Sequence, residues 1–408
     1  MALNKVLFIN YSYAYGSTGR LVQDIGAALE KQGIETYYAC KKATAHHKNL
    51  YMIGSKFVHL CAGLHSRVSG LQGYSCTAAT QALITFMDQL KPDVIHLHNL
   101  HGNYINIHIL FRWLSKQNCK IVWTLHDCWP FTGNCAYFNS IDRSDCNKWK
   151  DGTSCKKCPD IHRYPPSWFF DRGHKMFRDK AALYPFPKLH IVTVSHWLEK
   201  QVKQSMLKEC DVRTIYNWIN LETFTPAATK ASTDRYKQKV LLLAIASDWS
   251  REKGIKEILD VAEQLQDRVG FILVGNCRKQ WKKPLSNVYY EGPASQSEIV
   301  KLYNICDAVL SLATAETFGL TVAEGLACGK PAIVRNVGAC PEVSGNCGVH
   351  LDTINAESIL DAIQVILKQD RNMCRERAQE NFSTRNIQQY LDSVSYTHLR
   401  AHETAANL

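Results

Sequence analysis

The chain has 408 residues, 46% hydrophobic and 21% charged, with a net charge of +11. That composition is globular and excludes a disordered or fibrous chain, and the length predicts two domains at roughly 100–200 residues each. The longest aliphatic run, "VLLLAIA" at 240–246, is far short of the roughly 20 residues that cross a bilayer, while the basic balance favours anionic partners: nucleotide phosphates, lipid headgroups or nucleic acid.

The N-terminal stretch "MALNKVLFIN" has no small-residue cleavage site and reads as a first strand, not a signal peptide. A cytosolic setting follows, in which clustered cysteines point to metal more than to disulfides. Further strands are predicted at 35–39, 93–98, 120–125, 190–194 and 212–216, with amphipathic helical stretches between several of them, such as 19–33 and 105–118. Strand–helix alternation implies a parallel sheet covered on both faces. After the first strand, Gly16 and Gly19 open a helix, where tight turns and free amides favour an anion. The spacing is not that of a full dinucleotide-binding fingerprint, and a plain strand-to-helix turn explains it as well.

His96, His98 and His101 gather at one strand end, and the pair His126-Asp127 ends another. In a parallel sheet such positions line a ligand crevice, although a satisfied structural histidine is the plain alternative. Asp127 either orients a neighbour or caps the turn. Cysteines then follow closely: Cys135, Cys146, Cys155 and Cys158, with Cys128 nearer the His-Asp pair as a core thiol. The C-x-x-C knuckle predicts a structural zinc closed by four thiolates, which would order a loop of about 35 residues; buried unligated thiols or a redox or iron–sulfur role are the alternatives. From Asp142 to Lys188 there are eleven Lys/Arg against six Asp/Glu, interleaved with Trp149, Trp168, Phe169, Phe170, Phe177 and Phe186. Cations beside aromatics suit a membrane interface or single-stranded nucleic acid.

Residues 220–238 read as a linker, and strand–helix alternation then restarts through 336. The predicted organisation is 1–219, with a Cys-rich insert at 128–160; a linker at 220–238; a second domain at 239–394; and a non-native tail at 395–408, which has no apolar period. Two doubly wound halves in series place ligands beyond the carboxyl ends of their strands. "AETFGLTVAEGLACGKP" puts Glu316 in a loop after a strand and Glu324 within the following helix, with amides of Phe318, Gly319 and Leu320 at the helix start. Such carboxylates grip vicinal hydroxyls while the amides hold phosphate. "GLACGKP" is not a phosphate loop, being short by one residue and followed by Pro331.

Glu316 and Glu324, eight apart, resemble the E-x7-E signature of the retaining glycosyltransferases of family 4 (glycosyl transferases group 1), of GT-B fold. "WSREKG" at 249–254 and "NWINLETFTP" resemble two further segments of that family, and "HLHNLHGNYIN" and "TLHDCWPFTGNC" its cysteine-bearing capsule and exopolysaccharide branch, of colanic-acid type. The likeness covers about residues 3–393. It implies two Rossmann-like domains facing across a cleft and transfer, with retention, from a nucleoside-diphosphate sugar to a lipid-linked or growing surface polysaccharide.

By the same resemblance Glu324 holds the donor ribose, Glu316 the donor sugar, and Phe318, Gly319 and Leu320 the diphosphate. Lys253 is the diphosphate lysine. The family's arginine falls on Asp248, so Arg251 is the substitute cation. His126 lies near the transferred sugar, as a catalytic residue beside Glu316. No D-x-D occurs, so no catalytic metal is expected, and leaving-group charge falls to amides and cations. A cytoplasmic protein, peripheral at the inner face of the membrane, is implied. A nucleotide-sugar epimerase of the same architecture and a zinc-stabilised nucleic-acid-binding protein are the rivals. The latter leaves Glu316–Glu324 unexplained, and no nucleic acid is expected as partner.

Overall fold

The computed structural model describes residues 3–138, 146–150, 155–158, 161–227 and 235–392. They form two compact units, one within 3–138, 146–215 and 387–392, the other within 216–386.

The first unit is built on a parallel sheet of seven strands: β1 (Lys5–Tyr13), β2 (Glu35–Ala43), β3 (Leu50–Met52), β4 (Val94–Leu97), β5 (Lys120–Leu125), β6 (Leu189–Thr193) and β7 (Asp211–Thr214). Their order is β3-β2-β1-β4-β5-β6-β7. The short β3 and the helix Lys56–Ser69 escaped the sequence reading. Residues 387–392 join this unit: Tyr390 is buried, its ring 5.8 Å from that of His96.

The second unit has β8 (Val240–Asp248), β9 (Val269–Asn276), β10 (Val288–Gly292), β11 (Ala308–Ser311), β12 (Ala332–Arg335) and β13 (Gly348–Leu351). Their order is β10-β9-β8-β11-β12-β13, again all parallel. The near-continuous apolar reading of β8 and β9 reflects burial on both faces. Ile255, Ile258, Leu259 and Ala262 recur at helical spacing and bury one side of the helix Ile255–Gln264 against Leu242, Leu273 and Val269.

Each sheet starts at its centre, runs to one edge, and returns to build the other side. The reversal lies between β1 and β4 in one unit and between β8 and β11 in the other. At such a point two successive connections diverge to opposite faces and leave a crevice beyond the strand ends, the place where open α/β sheets bind ligands.

Candidate functional site

In the second unit the connections leaving β8 and β11 supply the family-like residues. After β8 a single turn, Arg251–Lys253, precedes the helix Ile255–Gln264. After β11 the chain reaches Glu316 and then the helix Leu320–Ala327. The two connections are tied twice: Thr314 N donates to Glu252 O at 2.9 Å, and Lys253 Nζ meets Glu316 Oε1 at 2.5 Å. The Glu316 carboxylate holds the Lys253 ammonium above its ordinary value, against the opposing effect of burial.

The backbone of Glu316 is also fixed. Ala339 N donates to Glu316 O at 2.9 Å, and a Cβ on Gly338 would lie 2.3 Å from that same oxygen. Gly338, at φ +64°, is therefore the residue that lets the connection after β12 lie against the backbone of Glu316.

Phe318 turns inward, edge-on to Phe382 at 5.4 Å, so its backbone stays at the helix start. Gly319 caps the helix without a side-chain acceptor, leaving the first amides unsatisfied within the helix. Glu324 is held by Tyr303, whose hydroxyl donates to Oε2 at 3.0 Å and to Thr321 O at 2.8 Å. Tyr303 is fully buried, so this contact positions the carboxylate from within the unit. Sequence reasoning passed over Tyr303, since one tyrosine in an amphipathic helix reads as core. Arg251 is exposed in the same turn as Lys253, and Asp248 is exposed at the end of β8. Lys330 is buried and donates to Asn304 O and Cys306 O at 3.0 and 2.8 Å, a structural role that agrees with rejecting a phosphate loop.

In the first unit Gly16 begins the helix Gly16–Lys31 after β1, and Gly19 packs where a Cβ would be 2.9 Å from Ser12 Oγ. His98 and His126 follow β4 and β5. Their rings stack at 5.3 Å, with His98 Nδ1 3.0 Å from His126 Nε2. Burial pushes His126 down to about 4 and His98 well below the usual imidazole range, so both are neutral at pH 7. His96 bonds Thr124 Oγ1 at 2.8 Å and is fully buried, which makes it structural.

Asp127 serves His101 and a cap. His101 Nε2 donates to Asp127 Oδ2 at 2.7 Å, Tyr164 OH lies 2.9 Å from His101 Nδ1, and Trp129 N donates to Asp127 Oδ1 at 2.9 Å. Burial raises the Asp127 carboxyl, but His101 and the Trp129 amide outweigh it and hold it below its ordinary value. Capping was one of the two roles expected of Asp127. The sequence did not name His101 as its histidine partner, because the turn after β4 is brought to it only by the sheet.

The zinc expectation is not supported. Cys135, Cys146, Cys155 and Cys158 do border one cavity of about 50 Å³, together with Lys148, Trp149 and Phe170. Yet among the described residues no three or more His, Cys, Asp or Glu side chains are placed to hold a metal ion. The four thiols surround the space without forming a ligand shell, and burial pushes Cys135 up to about 11 and Cys155 up to about 12. The interior loop is anchored instead by Lys180. Its fully buried ammonium donates to the carbonyls of Trp129, Thr132 and Gly133 at 2.6, 3.2 and 3.3 Å and lies 3.6 Å from the centre of the Trp129 ring. Of the residues read as an aromatic-basic surface, Trp149 and Phe177 are core, and Trp168, Phe169 and Phe170 are exposed.

Residues 18–223, about half of the chain, match the family described as Glycosyltransferase Family 4, and 228–381 match Glycosyl transferases group 1. The chain belongs to glycosyltransferase family 4. The glycosyltransferase is 26% identical over 290 residues to a protein named as the colanic acid biosynthesis glycosyl transferase WcaC of Escherichia coli, covering 67% of each chain. It is 27% identical over 242 residues to the N,N'-diacetylbacillosaminyl-diphospho-undecaprenol alpha-1,3-N-acetylgalactosaminyltransferase of Campylobacter jejuni, covering 52% of this chain and 63% of that one. The alignments thus span about two thirds of each relative's length. Among solved structures, sucrose-phosphate synthase from Thermosynechococcus elongatus superposes with a TM-score of 0.69 at 16% identity, over 98% of this chain and 100% of that one. The fold of the glycosyltransferase is GT-B, with two Rossmann-like units of parallel sheet.

Proposed function

We propose that this glycosyltransferase moves a sugar, with retention, from a nucleoside-diphosphate donor to a lipid-linked or growing surface polysaccharide. The observation that carries the reading is the pairing of Lys253 with Glu316 where the second sheet reverses. A cation and a sugar-binding carboxylate side by side are what a diphosphate joined to a hexose requires. The helix start at Phe318, Gly319 and Leu320 offers amides to the diphosphate, Arg251 adds a second cation, and Glu324 takes the ribose hydroxyls. As the glycosidic bond breaks, negative charge grows on the departing phosphate, and these fixed donors stabilise it without a catalytic metal. Retention follows if the acceptor attacks the face the phosphate leaves, with that phosphate taking the acceptor's proton.

In the first unit His126 is assigned to the transferred sugar. As a neutral ring it donates or accepts a hydrogen bond but brings no charge. Gly16 and Gly19, at the helix start after β1, are assigned to donor binding, Gly19 by letting the helix pack closely on Ser12. The acceptor class rests on the names of the two relatives, and with it a place at the inner face of the membrane; among the described residues no helix is long and apolar enough to cross one. A thermal-shift panel of nucleotide-sugars, followed by transfer assays with the best donor, tests the reading. Release of an epimer from donor alone, with no acceptor present, would replace it.

A further inference from the structure

The helix Lys56–Ser69 is packed inside out. Ala62, Gly63 and Ser66 face the unit with His59, while Phe57, Leu60, Leu64 and Val68 point to solvent, Phe57 and Leu60 being 74% and 71% exposed. Positions 57, 60, 64 and 68 fall on one stripe of a helix, so the large apolar side chains form a continuous ridge that contributes nothing to the core. A second apolar element abuts the end of this ridge. Trp168 N donates to Arg67 O at 2.6 Å, and a Cβ on Gly70 would lie 2.3 Å from Phe170 O, so the turn 167–172 is seated on the helix C-terminus. Trp168, Phe169 and Phe170 are exposed there, Phe169 at 66%.

The stretch of chain that carries the ridge is basic. Between Glu35 and Asp88 the sequence holds no carboxylate and five Lys/Arg. Lys56 and Arg67 are exposed at the two ends of the ridge, and Arg172 stands 5.4 Å from the centre of the Phe170 ring. The nearby carboxylate of Asp171 is turned to backbone, accepting from Cys158 N and Gly173 N.

We infer that the ridge Phe57–Leu60–Leu64–Val68 and the turn Trp168–Phe170 form one membrane-docking surface, which inserts its apolar side chains among the headgroups of an anionic bilayer. Apolar patches of this kind mark interaction sites. A basic helix with large apolar residues on one face lies in the interface plane, and tryptophan favours the headgroup level. The inference rests on the lipid-linked acceptor proposed above and specifies where the protein meets the lipid.

Co-sedimentation of the full chain with vesicles tests it, using phosphatidylcholine alone and phosphatidylcholine with 30% phosphatidylglycerol. The wild type should pellet with the anionic vesicles and at least about tenfold less with the neutral ones. Leu60→Glu with Leu64→Glu, and separately Phe169→Ser, should each lose about tenfold or more of that binding while keeping the donor-induced thermal shift. Failure of the wild type to bind, or variants that bind as well as it does, would overturn the inference. So would a wild-type dimer that becomes monomeric in the Leu60/Leu64 variant without vesicle binding, since a second copy would then cover the face. Absence of any donor shift sinks the proposed function and leaves the vesicle result to stand by itself.

Discussion

Lys253 and Glu316 are 63 positions apart and meet at 2.5 Å. Neither loop makes this pair by itself: β8 and β11 are neighbours in the sheet, and the connection after β12, close-packed at Gly338, braces the backbone of Glu316. Glu316 thereby keeps Lys253 charged and in place. A bound sugar diphosphate would share this pair, its phosphate against the ammonium and its hydroxyls against the carboxylate.

Replacing Lys253 by alanine removes a fixed cation from the departing phosphate. Loss of one such donor typically costs 10²–10³ in kcat, so transfer should fall by about that factor, with a smaller rise in KM. Steady-state kinetics of Lys253→Ala decide it, and a kcat within threefold of wild type would remove Lys253 from the chemistry.

Glu324→Ala should act mainly on donor affinity. A carboxylate hydrogen bond is worth about 1.5–3 kcal/mol, which corresponds to a 10–150-fold weaker Kd by titration calorimetry. Tyr303→Phe keeps the carboxylate but frees it from its support, and should weaken binding by less, about 3–10-fold. Equal affinity in wild type and Glu324→Ala would refute the ribose role.

The first unit should be acid-sensitive. Burial lowers His126 to about 4, while an unfolded imidazole titrates near 6.5. Below pH 6.5 the unfolded chain gains a proton that the folded one refuses. Stability is therefore fully present above that pH and is lost as pH falls toward 4. His126 alone accounts for on the order of 3 kcal/mol, and His98 shifts in the same direction. Tm measured from pH 7.5 to 4.5 should drop by several degrees, and less steeply in His126→Gln; a flat profile would contradict the buried, neutral pair.

Lys180→Ala leaves the carbonyls of Trp129, Thr132 and Gly133 without their shared donor. Each buried unsatisfied carbonyl costs about 1–3 kcal/mol, so the variant should lose several kcal/mol and become sensitive to proteolysis within residues 129–135. If it melts with the wild type, the loop is held by something else.

Much of the architecture was legible because it follows from local pattern. The strand at 120–125 was delimited at the observed residues, since an apolar run bounded by turns has few alternative readings. The three-residue β3 was missed because it is too short to show a period. The helix Lys56–Ser69 was missed although Phe57, Leu60, Leu64 and Val68 repeat at helical spacing, and only the structure shows that this stripe faces solvent. The expected zinc shell followed from C-x-x-C spacing, but spacing does not say whether four thiols converge, and here they line a cavity walled also by Trp149 and Phe170.

By itself the sequence determined the two parallel-sheet halves and the helix start at Gly319, which arise from hydrophobic period and near-neighbour spacing. Only the tertiary structure decided that Lys253 pairs with Glu316, that Asp127 serves His101, that Tyr303 props Glu324, and that Lys180 anchors the loop beside the cysteines. Those contacts join residues 21 to 63 positions apart. They exist because strand order brings distant connections to one edge of a sheet, and no local pattern in the chain records strand order.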